Sequence, residues 1–164
     1  MMLSFVRQHE AWAPPIVFVL AFGESLAFVS LILRATAILF GVGGLIGAGG
    51  VGFWPIWWAA AVGAVLGDWL SYWLGRRYGY AIARIWPLSR HPDLLPRGEA
   101  LFKKWGILAV FVGRFFGPLR SAMPLVAGIC AMPQRPFQIA NIASGMIWAV
   151  GILTPGALAL RWLL

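Results

Sequence analysis

Four ionisable side chains stand inside otherwise apolar stretches of this chain: Glu24, Asp68, Arg114 and Arg120. The two arginines carry the chemistry that is easiest to name. A guanidinium donates paired hydrogen bonds to carboxylate or phosphate oxygens, so two of them brought together make an anion clamp. Arg114 and Arg120 are six residues apart, and Gly117-Pro118 interrupts the apolar run between them. Proline removes a helical hydrogen bond and restrains the residue before it, so one straight helix is not expected through this stretch. On an unbroken helix the two side chains would point about 120° apart. A turn at Gly117-Pro118 instead sets them on two facing arms, where their charges converge. Arginine at membrane depth costs about 2.5–3.5 kcal/mol unless it faces a cavity or a partner. Residues 113–128 therefore read either as an anion site at the tip of a broken hairpin, or as a kinked span whose arginines reach an interface or satisfy carbonyls.

The acidic pair reaches similar depths by independent counts. Glu24 is ten residues past Pro14, about 15 Å of helix, which is near the middle of a hydrocarbon core about 30 Å thick. Asp68 lies eight residues before Arg76, about 12 Å along a helix. Tyr72, one turn on and on the same face, is the nearest candidate partner for Asp68. From Lys104 to Arg114 is again about 15 Å if the chain is helical throughout. Ionisable groups at such depth mark function by default. For Glu24 the alternative is a protonated or hydroxyl-paired carboxyl in a helix interface.

The elements that must position these groups are apolar helices. The chain has 164 residues, 61% hydrophobic and 11% charged, with mean hydropathy +0.83. That balance excludes a soluble domain with a polar surface and indicates a single all-α polytopic membrane domain. Ten tryptophans suit interfacial anchoring. Cys130 is the sole cysteine, which excludes an internal disulfide and a thiolate metal cluster. No cofactor or metal is implied. Of thirteen basic residues, seven (Arg76, Arg77, Arg84, Arg90, Arg97, Lys103, Lys104) fall between 76 and 104. A basic loop between apolar segments is expected on the cytoplasmic side of the cytoplasmic membrane, against anionic headgroups, and not on nucleic acid.

In chain order, the first 13 residues suit a short interfacial helix. The run 16–33 followed by Ala35-Thr36-Ala37 imitates a signal peptide, but Glu24 within it argues for a retained segment. A first hairpin is expected over about 14–52, with Arg34 near its tip and a glycine cluster at 41, 43, 44, 47, 49, 50 and 52. Such irregular backbone is tolerated at depth only where protein or a water-filled cavity covers it. A span follows over about 54–75, in which Gly63 and Gly67 allow close helix contact. Then come the basic segment 76–105, a second hairpin over about 106–135 with Gly117 and Pro118 at its tip, and a span over about 137–160. The two halves echo each other, which points to an inverted-repeat transporter with its site between them.

Taken together, these residues resemble the DedA family, the bacterial branch of the membrane proteins that share the VTT (SNARE-associated) domain. The resemblance covers nearly the whole chain. Its most specific parts are Gly67-Asp68 with Tyr72, Gly75-Arg76 and Gly79, and Gly113-Arg114-Phe115 through Pro118, Arg120 and Ala127-Gly128, continuing to Met132, Phe137, Gly145 and Trp148. Phe102, Lys103 and Gly106 fit the lead-in to the second motif, and Glu24 fits the acidic residue of the first hairpin. Two departures stand out. The family usually shows Pro-Gly-acid where this chain has Leu33-Arg34-Ala35, and its second motif has the proline one residue earlier, followed by glycine.

The resemblance implies two re-entrant helical hairpins entering from opposite faces, and a role in moving lipids between leaflets. For bacterial members the implied lipid is undecaprenyl phosphate or a phospholipid. Arg114 and Arg120 would hold the lipid phosphate, while Glu24 and Asp68 would balance them in the empty site or carry a proton. Two other classes use the same four charges: a proton- or ion-coupled transporter of small solutes, and a membrane organiser that transports nothing. An enzyme is not expected, since His9 and His91 lie outside the spans and no serine there has a nearby base.

Overall fold

The computed structural model describes residues 10–26, 38–39, 42–44, 52–85, 88–90, 92–115 and 119–163, and every element among them is helical. The α-helices are α1 (Ala13–Ser25), α2 (Phe53–Tyr78), α3 (Leu94–Trp105), α4 (Ile107–Gly113), α5 (Leu119–Ile129) and α6 (Gln134–Leu163). Three short 3-10 turns, Glu10–Trp12, Gly79–Arg84 and Leu88–Arg90, complete the described elements. Arg34, Gly117 and Pro118, the expected hairpin tips, lie outside the described residues.

Helix α2 is the element on which the others pack. Its 26 residues extend about 39 Å, enough to cross a bilayer core of about 30 Å. Trp54, Trp58, Val62, Leu66, Trp69 and Trp73 recur every three or four residues along one exposed face. From Trp54 to Trp73 is about 28 Å of helix, so the tryptophans form a belt at each end of an apolar band. By length and apolar composition alone, one described helix qualifies as a span, Gln134–Pro155 within α6. The tryptophans and Asp68 make α2 less apolar than that stretch.

The opposite face of α2 carries small residues, and two helices lie against it. A Cβ on Gly63 would come within 2.6 Å of the Phe18 carbonyl, and one on Gly67 would meet the Phe22 carbonyl, so α1 crosses α2 with backbone in contact. Further along, a side chain on Gly75 would run into the Leu125 carbonyl and one on Gly128 into the Tyr72 carbonyl. Helix α5 therefore sits as close to the far half of α2 as α1 does to the near half. Val17, Ala21, Leu39, Ile56, Ala60, Ala64, Trp148 and Leu153 share one buried cluster, which draws α6 and residue 39 onto the α1–α2 pair.

The contact of α5 with α2 is fastened by polar groups. The Tyr72 hydroxyl donates to the Met132 carbonyl at 2.5 Å, and Arg76 Nη1 donates to both Tyr72 Oη and the same carbonyl at 3.0 Å. The Tyr72 ring stacks on Phe137 with centroids 4.2 Å apart. This corrects the expectation that Tyr72 serves Asp68. Helical spacing put the two on one face, but Tyr72 is turned to the α5–α6 junction instead.

Glycines bound the basic segment at both ends. Gly79 and Gly106 have φ of 53° and 54° with strongly negative ψ, a conformation that side chains strongly disfavour. The chain therefore turns sharply after α2 and again between α3 and α4. Helix α3 lies across α5, with Gly98 against Val126, Leu95 beside Ile82 and Leu125, and Arg97, Lys103 and Lys104 exposed. The Tyr80 hydroxyl donates to Glu99 at 2.7 Å, and that bond holds the phenol above its ordinary pKa. Gly106 also corrects the depth count for Arg114. The path from Lys104 is not one helix, and the approach to Arg114 is the seven-residue α4, about 10 Å long.

Candidate functional site

The four charges meet where α1, α4, α5 and α6 converge on the middle of α2. Glu24 is the penultimate residue of α1, Asp68 faces inward from α2, Arg114 follows the last residue of α4, and Arg120 is the second residue of α5. The Ser71 hydroxyl donates to the Ser25 carbonyl at 3.4 Å and so fixes the end of α1 beside Asp68. Gly113 backs onto the Met123 side chain, which places the end of α4 against α5 and brings the two arginines to the same region.

They form two ion pairs. Arg114 Nη2 pairs with Asp68 Oδ2, and Arg120 Nη1 pairs with Glu24 Oε1 at 2.8 Å. Side-chain exposure is 4% and 5% in the first pair, and 14% and 6% in the second. Both are therefore cut off from water, and the second is the less enclosed. A buried ion pair gives little net stability, because desolvation offsets most of the attraction. Removing one partner is another matter, since it strands a charge.

One face of α6 touches both guanidinium groups. The Asn141 Oδ1 atom accepts from Arg114 Nη2 at 2.8 Å, while its Nδ2 donates to the Val65 carbonyl at 3.0 Å. Gly145 lies against Arg114 Nη1, and a Cβ there would stand 2.6 Å from that nitrogen. The Trp148 ring carries Arg120 Cζ 4.1 Å from its centroid, a cation–π contact. Residues 141, 145 and 148 are spaced four and three apart, so they form a single stripe. Each arginine also keeps a buried nitrogen, Nη1 of Arg114 and Nη2 of Arg120, without a hydrogen-bond partner among the described residues.

The VTT-domain profile matches residues 28–158, which is most of the chain. The chain belongs to the VTT-domain family. Among curated relatives, this VTT domain is 37% identical over 155 residues to the inner membrane protein YabI of Escherichia coli, covering 94% of this chain and 61% of YabI. It is 31% identical over 153 residues to an uncharacterized membrane protein of Buchnera aphidicola, covering 93% of this chain and 60% of that one. It is 32% identical over 146 residues to the E. coli inner membrane protein YghB, covering 88% of this chain and 66% of YghB. The chain thus spans about three fifths of the length of the first two relatives. No solved structure matches it. With these relatives and its apolar helices, the VTT domain described here is an all-α membrane protein.

Of the residues singled out in the sequence, Glu24, Asp68, Arg114 and Arg120 come together in this VTT domain, while Arg34, Gly117 and Pro118 fall outside the described residues. Sequence reasoning missed the roles of Asn141, Gly145 and Trp148. Their signal was present: an amide, a glycine and an indole on one stripe of an apolar helix. It becomes meaningful once the arginines are known to lie against that stripe.

Proposed function

We propose that this VTT domain is the core of a transporter that carries a phosphate-bearing lipid, undecaprenyl phosphate or a phospholipid, across the cytoplasmic membrane. The observation that carries the reading is the pair of buried guanidinium groups, each with a nitrogen still to be bonded. Phosphate oxygens fit such groups, because guanidinium donors match them in pairs. Exchange of the carboxylates for the headgroup phosphate leaves the lipid tail outside in the bilayer.

Helix lengths support a re-entrant arrangement. Helices α4 and α5 have seven and eleven residues, about 10 and 16 Å, and each is too short for a core of about 30 Å. On this reading they enter and leave on one side, the segment 76–105 is cytoplasmic, and the first hairpin enters from the opposite face as its inverted counterpart. Cysteines replacing Lys104 and Arg135 should then react with an impermeant thiol reagent from the same side. Labelling from opposite faces would make residues 106–135 a crossing segment and end the re-entrant reading.

Transport itself is tested in proteoliposomes, with labelled undecaprenyl phosphate and phospholipids and with Arg114→Ala as control. Movement of a water-soluble ion or solute in place of lipid would transfer the site to a small-solute transporter. The complete internal pairing of the four charges also favours a second reading, an organiser whose charges only brace the fold. Under that reading the double exchange Asp68→Arg with Arg114→Asp preserves function, whereas under the lipid reading it does not.

A further inference from the structure

The carboxylates are the charged partners of the two arginines, but each guanidinium also has an uncharged contact on α6. The geometry points to Asn141 and Trp148 of α6 as positioning residues that keep both guanidinium groups in place while Glu24 and Asp68 let go of them. The inference rests on the anion-binding reading of Arg114 and Arg120 and adds to it the device that makes the exchange possible.

A site that swaps an internal carboxylate for an incoming phosphate faces a problem. An arginine released by its carboxylate has a long side chain with many rotamers, and losing its one partner would let it swing away. Ordering such a chain again costs about 2 kcal/mol of rotamer entropy. Here each guanidinium has a second, uncharged contact. For Arg114 it is the Asn141 oxygen at 2.8 Å, and the amide cannot turn freely because Nδ2 is bonded to the Val65 carbonyl. For Arg120 it is the Trp148 ring, 4.1 Å below Cζ. An indole face holds the plane of a guanidinium and leaves its edge donors available. Arg120 meets Glu24 along that edge with Nη1, and Nη2 remains unbonded among the described residues.

The placement of these contacts is consistent with a permanent support. Both come from a single rigid stripe of α6, and Trp148 and Asn141 are themselves buried, so neither contact depends on solvent. Both are neutral, so neither competes with an anion for charge. Gly145, between them, leaves room for the unbonded Arg114 nitrogen. The carboxylates come from other elements, α1 and α2. Movement of the end of α1 away from α5 and α6 therefore separates Arg120 from Glu24 without disturbing the Trp148 contact. A rotamer change of Asp68 releases Arg114, while Asn141, braced on the Val65 carbonyl, keeps its place.

The decisive measurement watches Arg120 directly. An arginine lying over an indole has its side-chain proton signals shifted upfield by the ring, and Arg120 is identified by the signal that vanishes in Arg120→Lys. In protein labelled with 15N-arginine and reconstituted in nanodiscs, this shift should be present, lost in Trp148→Leu, and largely kept in Trp148→Phe. It should also persist in Glu24→Gln, where the charged partner is gone. A return of the signal to its solvent position in Glu24→Gln shows that the carboxylate does the aiming and overturns the inference. That arm stands by itself even if Trp148→Leu fails to fold.

Transport of fluorescent phosphatidylglycerol in proteoliposomes supplies the second readout. Trp148→Leu and Asn141→Leu should each lower it about tenfold, the size of a desolvated cation–π or charge-assisted contact, while Trp148→Phe stays within about threefold. If Arg120→Ala abolishes transport and Trp148→Leu does not reduce it, the positioning role is wrong and the lipid site survives. If Arg120→Ala transports normally, the lipid site is wrong, and the nanodisc signal alone decides what holds Arg120.

Discussion

Arg114 meets a carboxylate, an amide oxygen and the bare backbone of Gly145, whereas Arg120 meets a carboxylate at its edge and an indole at its face. The first pair is the more enclosed, and its arginine is bonded to two helices at once, α2 and α6. The second joins α1 to α5 and lies closer to the outside. Two arginines six residues apart thus have different freedoms. Arg114 is the more firmly held of the two, and on the transport reading Arg120 is the one that changes partners more readily.

The largest consequence concerns stability. Asp68→Ala leaves Arg114 charged and nearly sealed from water, and should destabilise the folded protein by about 3–5 kcal/mol. Glu24→Ala, beside the more open Arg120, should cost clearly less. Thermal unfolding of the purified variants in detergent reads the difference, and equal losses would remove the distinction between the pairs.

Transport should separate them the other way. Arg120→Lys keeps the charge and gives up the fork of donors, so lipid movement in proteoliposomes should fall at least about tenfold with little change in melting temperature. Near-normal transport by this variant would assign Arg120 to charge balance alone.

A smaller effect is expected from Gly145→Ala. The added methyl would stand 2.6 Å from Arg114 Nη1 and 2.9 Å from Val65 Cγ2, an overpacking typically worth about 1–3 kcal/mol. Gly151→Ala on the same helix meets nothing within 4 Å and serves as the matched control. If the two variants melt together, Arg114 is less fixed than its contacts indicate. At the far end of the scale, Arg97 and Asp93 form an exposed pair at 3.9 Å. Arg97→Ala should leave the melting temperature unchanged, which sets the baseline for charges that water already solvates.

Several of these features could be read from residues alone. Depth counts from Pro14 and Arg76 grouped Glu24 with Asp68, and a turn at Gly117-Pro118 was one of two readings of the stretch that holds Arg114 and Arg120. Helix periodicity and charge cost suffice for that. The motif residues also carried the family. Tyr72 was misjudged because spacing along one helix says nothing about a better acceptor on another, and the Met132 carbonyl is 60 residues away. Gly106 was matched to the family's motif but its turn was not read, because a single glycine in an apolar run does not declare its φ. The contacts of Asn141 and Trp148 with the arginines went unread for a third reason. An amide and an indole in an apolar helix are ordinary until a guanidinium is placed beside them.

The fastening of Tyr72 and Arg76 to the Met132 carbonyl also has a mechanical side. It clamps the turn that follows α5 to α2, and Arg120 sits at the far end of α5, about 14 Å from Ile129 along the helix. Helix α5 is then a lever with its fulcrum near Ile129, beside the clamped turn. A rotation of about 10° there carries Arg120 through about 2.4 Å, close to the reach of a hydrogen bond. A motion too slight to disturb the packing at the fulcrum is sufficient to part Arg120 from Glu24.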